Sequence, residues 1–229
     1  MIGHSLLRTL VTLLLGSAAT VALAQAADCA NLPRSSVTIK RLEGPVAINR
    51  QYSYKALKGM SADYARHDMQ ILGLTRGQAV ARLSSRSMLR INPQAHWECA
   101  SHQVTVEYGF MPMTVYVGSE FPEGTCAYNE IYQHELRHVH VYQTHARKIE
   151  QELSETLKER FEDAPPSRGA AGETGPRLQQ EINERWIPYI KRMLDKVNAE
   201  QREVDSPEEY ERVAASCNGA IKKQLAVRR

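Results

Sequence analysis

The residues best placed to do chemistry in this chain are His134-Glu135-Leu136-Arg137-His138. Two histidines four apart on a helix lie one above the other on one face, so both imidazoles can reach a single tetrahedral metal ion. The glutamate after the first histidine is turned beside them, where its carboxylate can take a proton from a water that the metal activates. Such a set can hydrolyse a polar bond, provided that a helix holds it. Residues 126–161 supply one: the stretch is rich in Glu, Gln, Leu, Arg, Lys and Ala and contains neither Gly nor Pro. The competing reading is an exposed helix on which these are ordinary solvated positions. His145 lies seven residues beyond His138, about 10 Å further along a straight helix, and cannot share the metal. His140 points to another face. Both are expected to be surface or packing histidines.

The elements around the helix are read from periodicity and punctuation. Residues 36–42 and 45–57 carry extended patterns, and 61–72 reads as a helix opened by Ser61 and closed by Gly73 and Gly77. Residues 79–91 return as a strand that Asn92-Pro93 turns. Residues 103–108 and 113–117 then read as a hairpin around 109–112, and 113–117 is the strand on which an extended peptide could add. Pro122-Glu123-Gly124 feeds the motif helix, which Pro165 and Pro166 stop by Asp163. A Pro/Gly-rich stretch, 164–176, is expected to be a mobile linker. The helix expected over 178–204 carries an apolar stripe of Leu178, Ile182, Trp186, Tyr189, Met193 and Val197 for packing on the motif helix, with Pro188 as a kink. Ser206, Pro207 and Glu209 open a last helix in capping-box spacing.

Composition narrows the setting. The 229 residues, 42% hydrophobic, can form one substantial domain or two small ones. Residues 1–26 read as a signal peptide: Arg8, an apolar run over 10–23, and a small-residue cleavage site at Ala24-Gln25-Ala26 or, equally, Ala22-Leu23-Ala24. Gly16, Ser17 and Thr20 interrupt the run and weaken a membrane anchor, and Asp28 before Cys29 argues against lipid attachment. Residues 27–229 are then expected to form a single domain, secreted or periplasmic. Losing Arg8 from the 29 basic residues leaves 28 against 26 acidic ones, which gives nucleic acid no basic face to bind. No other apolar run is long enough to span a bilayer, so no membrane association is expected once the signal is removed. The four cysteines, 29, 99, 126 and 217, are even in number and lack CxxC spacing, so disulfides are expected rather than a metal site. Closing the hairpin favours Cys99–Cys126, leaving Cys29–Cys217.

A hairpin leading into a helix with His134-Glu135-x-x-His138 resembles the zincin metallopeptidases. The strand-rich start, the cysteine before VTVEY, the HELRHV run and the VDSPEEY segment also make the chain similar to a family of predicted secreted Zn-dependent proteases of bacteria. The resemblance implies an α+β, zincin-like fold: antiparallel strands and a hairpin packed on the motif helix, followed by C-terminal helices. It also implies one Zn2+ held by His134 and His138, Glu135 as the base, and a peptide or protein as substrate. The longer HExxHxxGxxH form is absent, since Val141 and Thr144 stand at its Gly and third His. A third ligand from a later glutamate fits better. Glu155 is too far along the same helix; Glu181, Glu184 and Glu208 remain open, and Glu209 is preferred because Cys217 should anchor its segment and Asp205 lies close by. Glu209 has the competing role of completing the cap with Ser206. The rival to a peptidase is a non-catalytic periplasmic metal-binding or assembly protein on the same scaffold.

Overall fold

The computed structural model describes residues 29–61 and 70–227. The signal-peptide reading of 1–26 and most of the helix expected over 61–72 lie outside them. The chain is α+β and divides into two compact units. Among the described residues, one comprises 29–38, 84–104 and 157–182; the other comprises 39–61, 70–83, 105–156 and 183–227.

The strands are β1 (Ser36–Leu42), β2 (Val46–Asn49), β3 (Gly73–Asn92), β4 (Trp97–Val117) and β5 (Ser167–Ala170), and β1, β2, β3 and β5 all pair with β4. β2 runs parallel to β4, with Val46 opposite Met113, and β5 runs antiparallel to it, with Trp97 opposite Ala170. β3 reaches β4 through 93–96 alone, a link long enough only for a hairpin. The turn expected at Asn92-Pro93 is therefore present, but the one expected at 109–112 is not. β4 continues through that stretch because Gly109, at φ +145°, lets the backbone of Leu42 approach: a Cβ there would lie 2.7 Å from the Leu42 carbonyl oxygen. Its glycine marks a close approach of chains rather than a reversal.

That difference corrects the disulfides. With no fold-back at 109–112, nothing brings Cys99 to Cys126, and the bridges are Cys29–Cys99 and Cys126–Cys217. Each lies within one unit. The second ties the first residue of the motif helix to Cys217, just beyond the helix over 207–215.

In the unit of 84–104 and 157–182, the stretch expected as a mobile linker carries β5 and the start of α3 (Thr174–Glu181). The cause is Glu98, 1% exposed, whose carboxylate accepts from the Gly172 N–H at 2.7 Å, the Thr174 N–H at 2.9 Å and the Thr174 hydroxyl at 2.5 Å. The Thr174 hydroxyl and the Gly172 N–H hold its pKa below the ordinary glutamate value despite burial. His102 adds a second fastening, with Nδ1 2.8 Å from the Ser87 hydroxyl and Nε2 2.8 Å from that of Ser167. Glu98→Gln leaves one buried acceptor facing donors it cannot fully satisfy. It is expected to cost about 1–3 kcal/mol and to make 164–176 the first place cut in limited proteolysis. Cleavage there at the same rate in both proteins would show that Glu98 does not hold this segment.

The other unit is built on the motif helix, α2 (Cys126–Phe161), from its first residue to Thr156. Its buried apolar residues, Ala127, Tyr128, Ile131, Val139, Ala146, Ile149 and Leu153, fall along one face at spacings of about one or two turns. The expected 178–204 helix is divided into α3, a π-helical turn at Ile182–Trp186, α4 (Ile187–Asp195) and α5 (Val197–Val204). Pro188 lacks the N–H that would continue the helix and stands in the first turn of α4. The expected stripe is buried at Leu178, Ile182, Trp186, Met193 and Val197. The extended pattern over 45–57 gives way to α1 (Tyr54–Met60), capped by the Ser53 hydroxyl, with Ser61 at its C-terminal cap. α6 (Pro207–Ala215) starts as expected, with the Ser206 hydroxyl accepting from the Glu209 N–H, and α7 (Ala220–Val227) closes the described chain.

Candidate metal centre

The buried face of α2 is apolar except at the motif residues and at His145. His134 and His138 are 8% exposed and Glu135 is 3% exposed, so three motif residues occupy positions that packing alone would fill with hydrocarbon. They face a cleft of about 1360 Å3 whose lining includes β3 residues 73–78, Tyr116, Asp205 and Tyr210.

Among the described residues, one group brings three metal-ligating atoms together: His134, His138 and Asp205. Nε2 of His134 and Nε2 of His138 are 3.2 Å apart, and each is 3.2 Å from Oδ1 of Asp205. Tetrahedral ligands held ~2.0–2.1 Å from zinc sit ~3.3 Å from one another, so this triangle has the size of one face of such a site. The chemistry of the donors agrees. Gln201 donates its amide N–H to the His138 carbonyl at 3.2 Å, so its Oε1, 2.6 Å from His138 Nδ1, must accept a proton there. On His134, Nδ1 faces Oε1 of Glu209 at 3.3 Å. In the tautomer that carries the proton on Nδ1 of both rings, two lone pairs and a carboxylate oxygen converge on one point, an arrangement that a cation or added protons would balance.

The third member of the group is thus Asp205, and Glu209, the ligand preferred from sequence, stands on the other side of the His134 ring. There it accepts from Arg137 and, at 2.8 Å, from Arg212. Arg212 and Arg137 hold its pKa well below the carboxylate range. A carboxylate on the far nitrogen of a ligating histidine fixes ring orientation and tautomer. Of the other candidates, Glu181 is engaged by Arg160 Nε at 2.7 Å, and neither Glu155, Glu184 nor Glu208 belongs to the ligating group. His140 is exposed and pairs with Thr144, while His145 is buried.

Glu135 is held by Thr75, whose hydroxyl lies 2.8 Å from Oε2. Gly73 makes room: a Cβ there would lie 2.5 Å from Glu135 Oε1 and 2.8 Å from the Ile131 side chain. Burial raises the Glu135 pKa, against the opposing pull of His138, His134 and the Thr75 bond. Tyr210 stacks obliquely 6.2 Å from the His134 ring, and burial together with Asp205 and Glu135 pushes its hydroxyl pKa up. Thr75, Gly73, Gln201 and Tyr210 were not singled out from sequence as site residues. Only the glycine left a trace there, as a break before a strand.

The protons that stand in for a cation make the fold pH-sensitive. Burial disfavours the charge on His138, but the Asp205 bond and the charges of Glu135 and Asp205 outweigh it, raising its pKa to about 9. Burial likewise works against the Asp205 carboxylate, and its bonds to His134 and His138 overcome this, holding its pKa well below the ordinary value. Without metal, the His138 contribution is complete below its unfolded pKa of about 6.5 and lost as pH rises through about 9. The Asp205 contribution is present above its unfolded pKa and lost in acid. The melting temperature of the metal-free protein is expected to fall between pH 6.5 and 9. Added zinc should raise it more at the upper end, because ligation needs neutral imidazoles. A metal-free melting temperature that climbed across that window would contradict this account.

No family model, curated protein or solved structure matches the chain. Among the described residues no helix is long and apolar enough to cross a membrane.

Proposed function

We propose that this protein is an exported zinc metallopeptidase of zincin type. The observation that carries the reading is the 3.2 Å triangle of His134 Nε2, His138 Nε2 and Asp205 Oδ1 with the Glu135 carboxylate beside it in the cleft. A zinc ion held there would supply a Lewis acid that polarises a carbonyl and lowers the pKa of water. Glu135, oriented by Thr75, takes the proton of the attacking water and delivers it to the departing amine. Glu209 and Gln201 hold the two imidazoles in the ligating tautomer. Two formed disulfides fit an oxidising compartment and hence export.

The substrate is an extended peptide. Residues 113–117, expected as its docking strand, already pair with β2. β3 is better suited: among the described residues it pairs only with β4, and its residues 73–78 line the cleft beside Glu135. A chain laid along its free edge would gain main-chain hydrogen bonds. The cleft also exceeds the ~300–1,000 Å3 usual for small-molecule sites.

The test is metal analysis of the purified protein together with a peptide-library digest. Bound zinc with cleavage supports the proposal. Zinc without cleavage, or no metal affinity at all, favours the rival, a non-catalytic metal-binding or assembly protein.

A further inference from the structure

His145 is 3% exposed and lies two turns beyond His138 on the same face of α2. Its Nε2 is 2.9 Å from the carbonyl oxygen of Met193, and its Nδ1 is 3.2 Å from Oε1 of Glu200. The Met193 carbonyl can only accept, so Nε2 donates to it, while Nδ1 faces the Glu200 carboxylate. One bond holds the last turn of α4, whose carbonyls lack intrahelical donors and attract positive charge. The other holds α5. Lys148, on the next turn of α2, reaches the same Glu200 oxygen at 3.1 Å and balances its charge. The Phe110 ring packs on the imidazole with centroids 6.4 Å apart.

These bonds lead directly to the candidate metal centre. Gln201, the neighbour of Glu200, holds both Nδ1 and the carbonyl of His138, and α5 ends at Asp205. The C-terminal segment therefore runs back along α2. Met193 and Glu200 meet His145, Gln201 meets His138, Asp205 meets His138 and His134, and Glu209 meets His134. α5 is fastened at two points, and Asp205 is the end that extends beyond the second. We infer that His145 is a positioning residue for the metal site: it staples α4 and α5 to α2 and so sets the reach of Gln201 and Asp205. That the site holds metal rests on the function proposed above; the staple does not.

Hydrogen exchange on the metal-free protein separates the two. In His145→Phe, amides over 197–204 are expected to lose at least tenfold in protection while those of the core of α2 keep theirs. His145→Gln, which retains one donor, should lose less. Zinc affinity, read by chelator competition, should fall at least tenfold in His145→Phe and less in His145→Gln. If His145→Phe does not fold, Glu200→Gln, which weakens the same bond from the other side, gives the same exchange reading. A folded variant with full protection over 197–204 overturns the staple. Lost protection with unchanged zinc affinity overturns its link to the site. Should the unsubstituted protein bind no zinc, the proposed function fails, and the exchange experiment still judges His145.

Discussion

Asp205→Ala is expected to abolish zinc binding at the candidate metal site, whereas Glu209→Ala should only weaken it. Removing Asp205 takes away one corner of the triangle and leaves two imidazole nitrogens, 3.2 Å apart, without their anionic partner. Two neutral nitrogens on one helix are a poor site for a divalent ion. Removing Glu209 takes away the bond that orients His134 and fixes its tautomer, an effect usually worth ~10–100-fold in affinity. It also takes a partner from Arg137 and from Arg212, although Arg212 keeps Glu130 at 2.9 Å. The Glu209 backbone N–H still meets the Ser206 hydroxyl, so the helix cap survives the substitution. Zinc affinity by chelator competition on both variants decides between them. An empty Glu209→Ala beside an Asp205→Ala with unaltered affinity would reinstate Glu209 as the ligand.

The difference between those two carboxylates marks how far sequence could be read. The spacing of His134, Glu135 and His138 makes the helix and its chemical face legible, because 3.6 residues per turn is a local rule. The Ser206-Pro207 start of α6 is legible for the same reason. Which carboxylate meets the imidazoles depends on the path of the chain between α5 and α6. Asp205 sits at the break just before the cap, and no periodicity reports where a break points. The cysteines failed for a related reason: Gly109 was read as a turn because glycine marks turns, but here it admits the Leu42 backbone, and the pairing followed the mistaken hairpin. Likewise the Pro/Gly composition of 164–176 is a sound signal for a loop. One buried carboxylate, Glu98, some seventy residues earlier, overrides it, and such a partner leaves no local mark.

Glu135→Gln is expected to abolish hydrolysis while zinc stays bound. The substitution keeps volume and shape, and the amide oxygen can still accept from the Thr75 hydroxyl that now lies 2.8 Å from Oε2. The close fit under Gly73 is also preserved. What is lost is the capacity to take a proton, and general-base catalysis contributes ~10^2–10^4-fold. Stability provides the control. Burial is the largest influence on Glu135 and raises its pKa, so its charge weakens the native state at neutral pH. Removing that charge should leave the melting temperature unchanged or higher. A residue that served only to hold the helix in place would behave the other way, losing stability and activity together. Thr75→Val extends the comparison: it removes the bond that aims the carboxylate, without touching a ligand, and should lower the turnover number more than it changes substrate affinity. Turnover of a cleaved peptide, zinc content and melting temperature measured on the same preparations give the answer. A Glu135→Gln protein that hydrolyses at the unsubstituted rate would remove Glu135 as the base and the metallopeptidase reading with it.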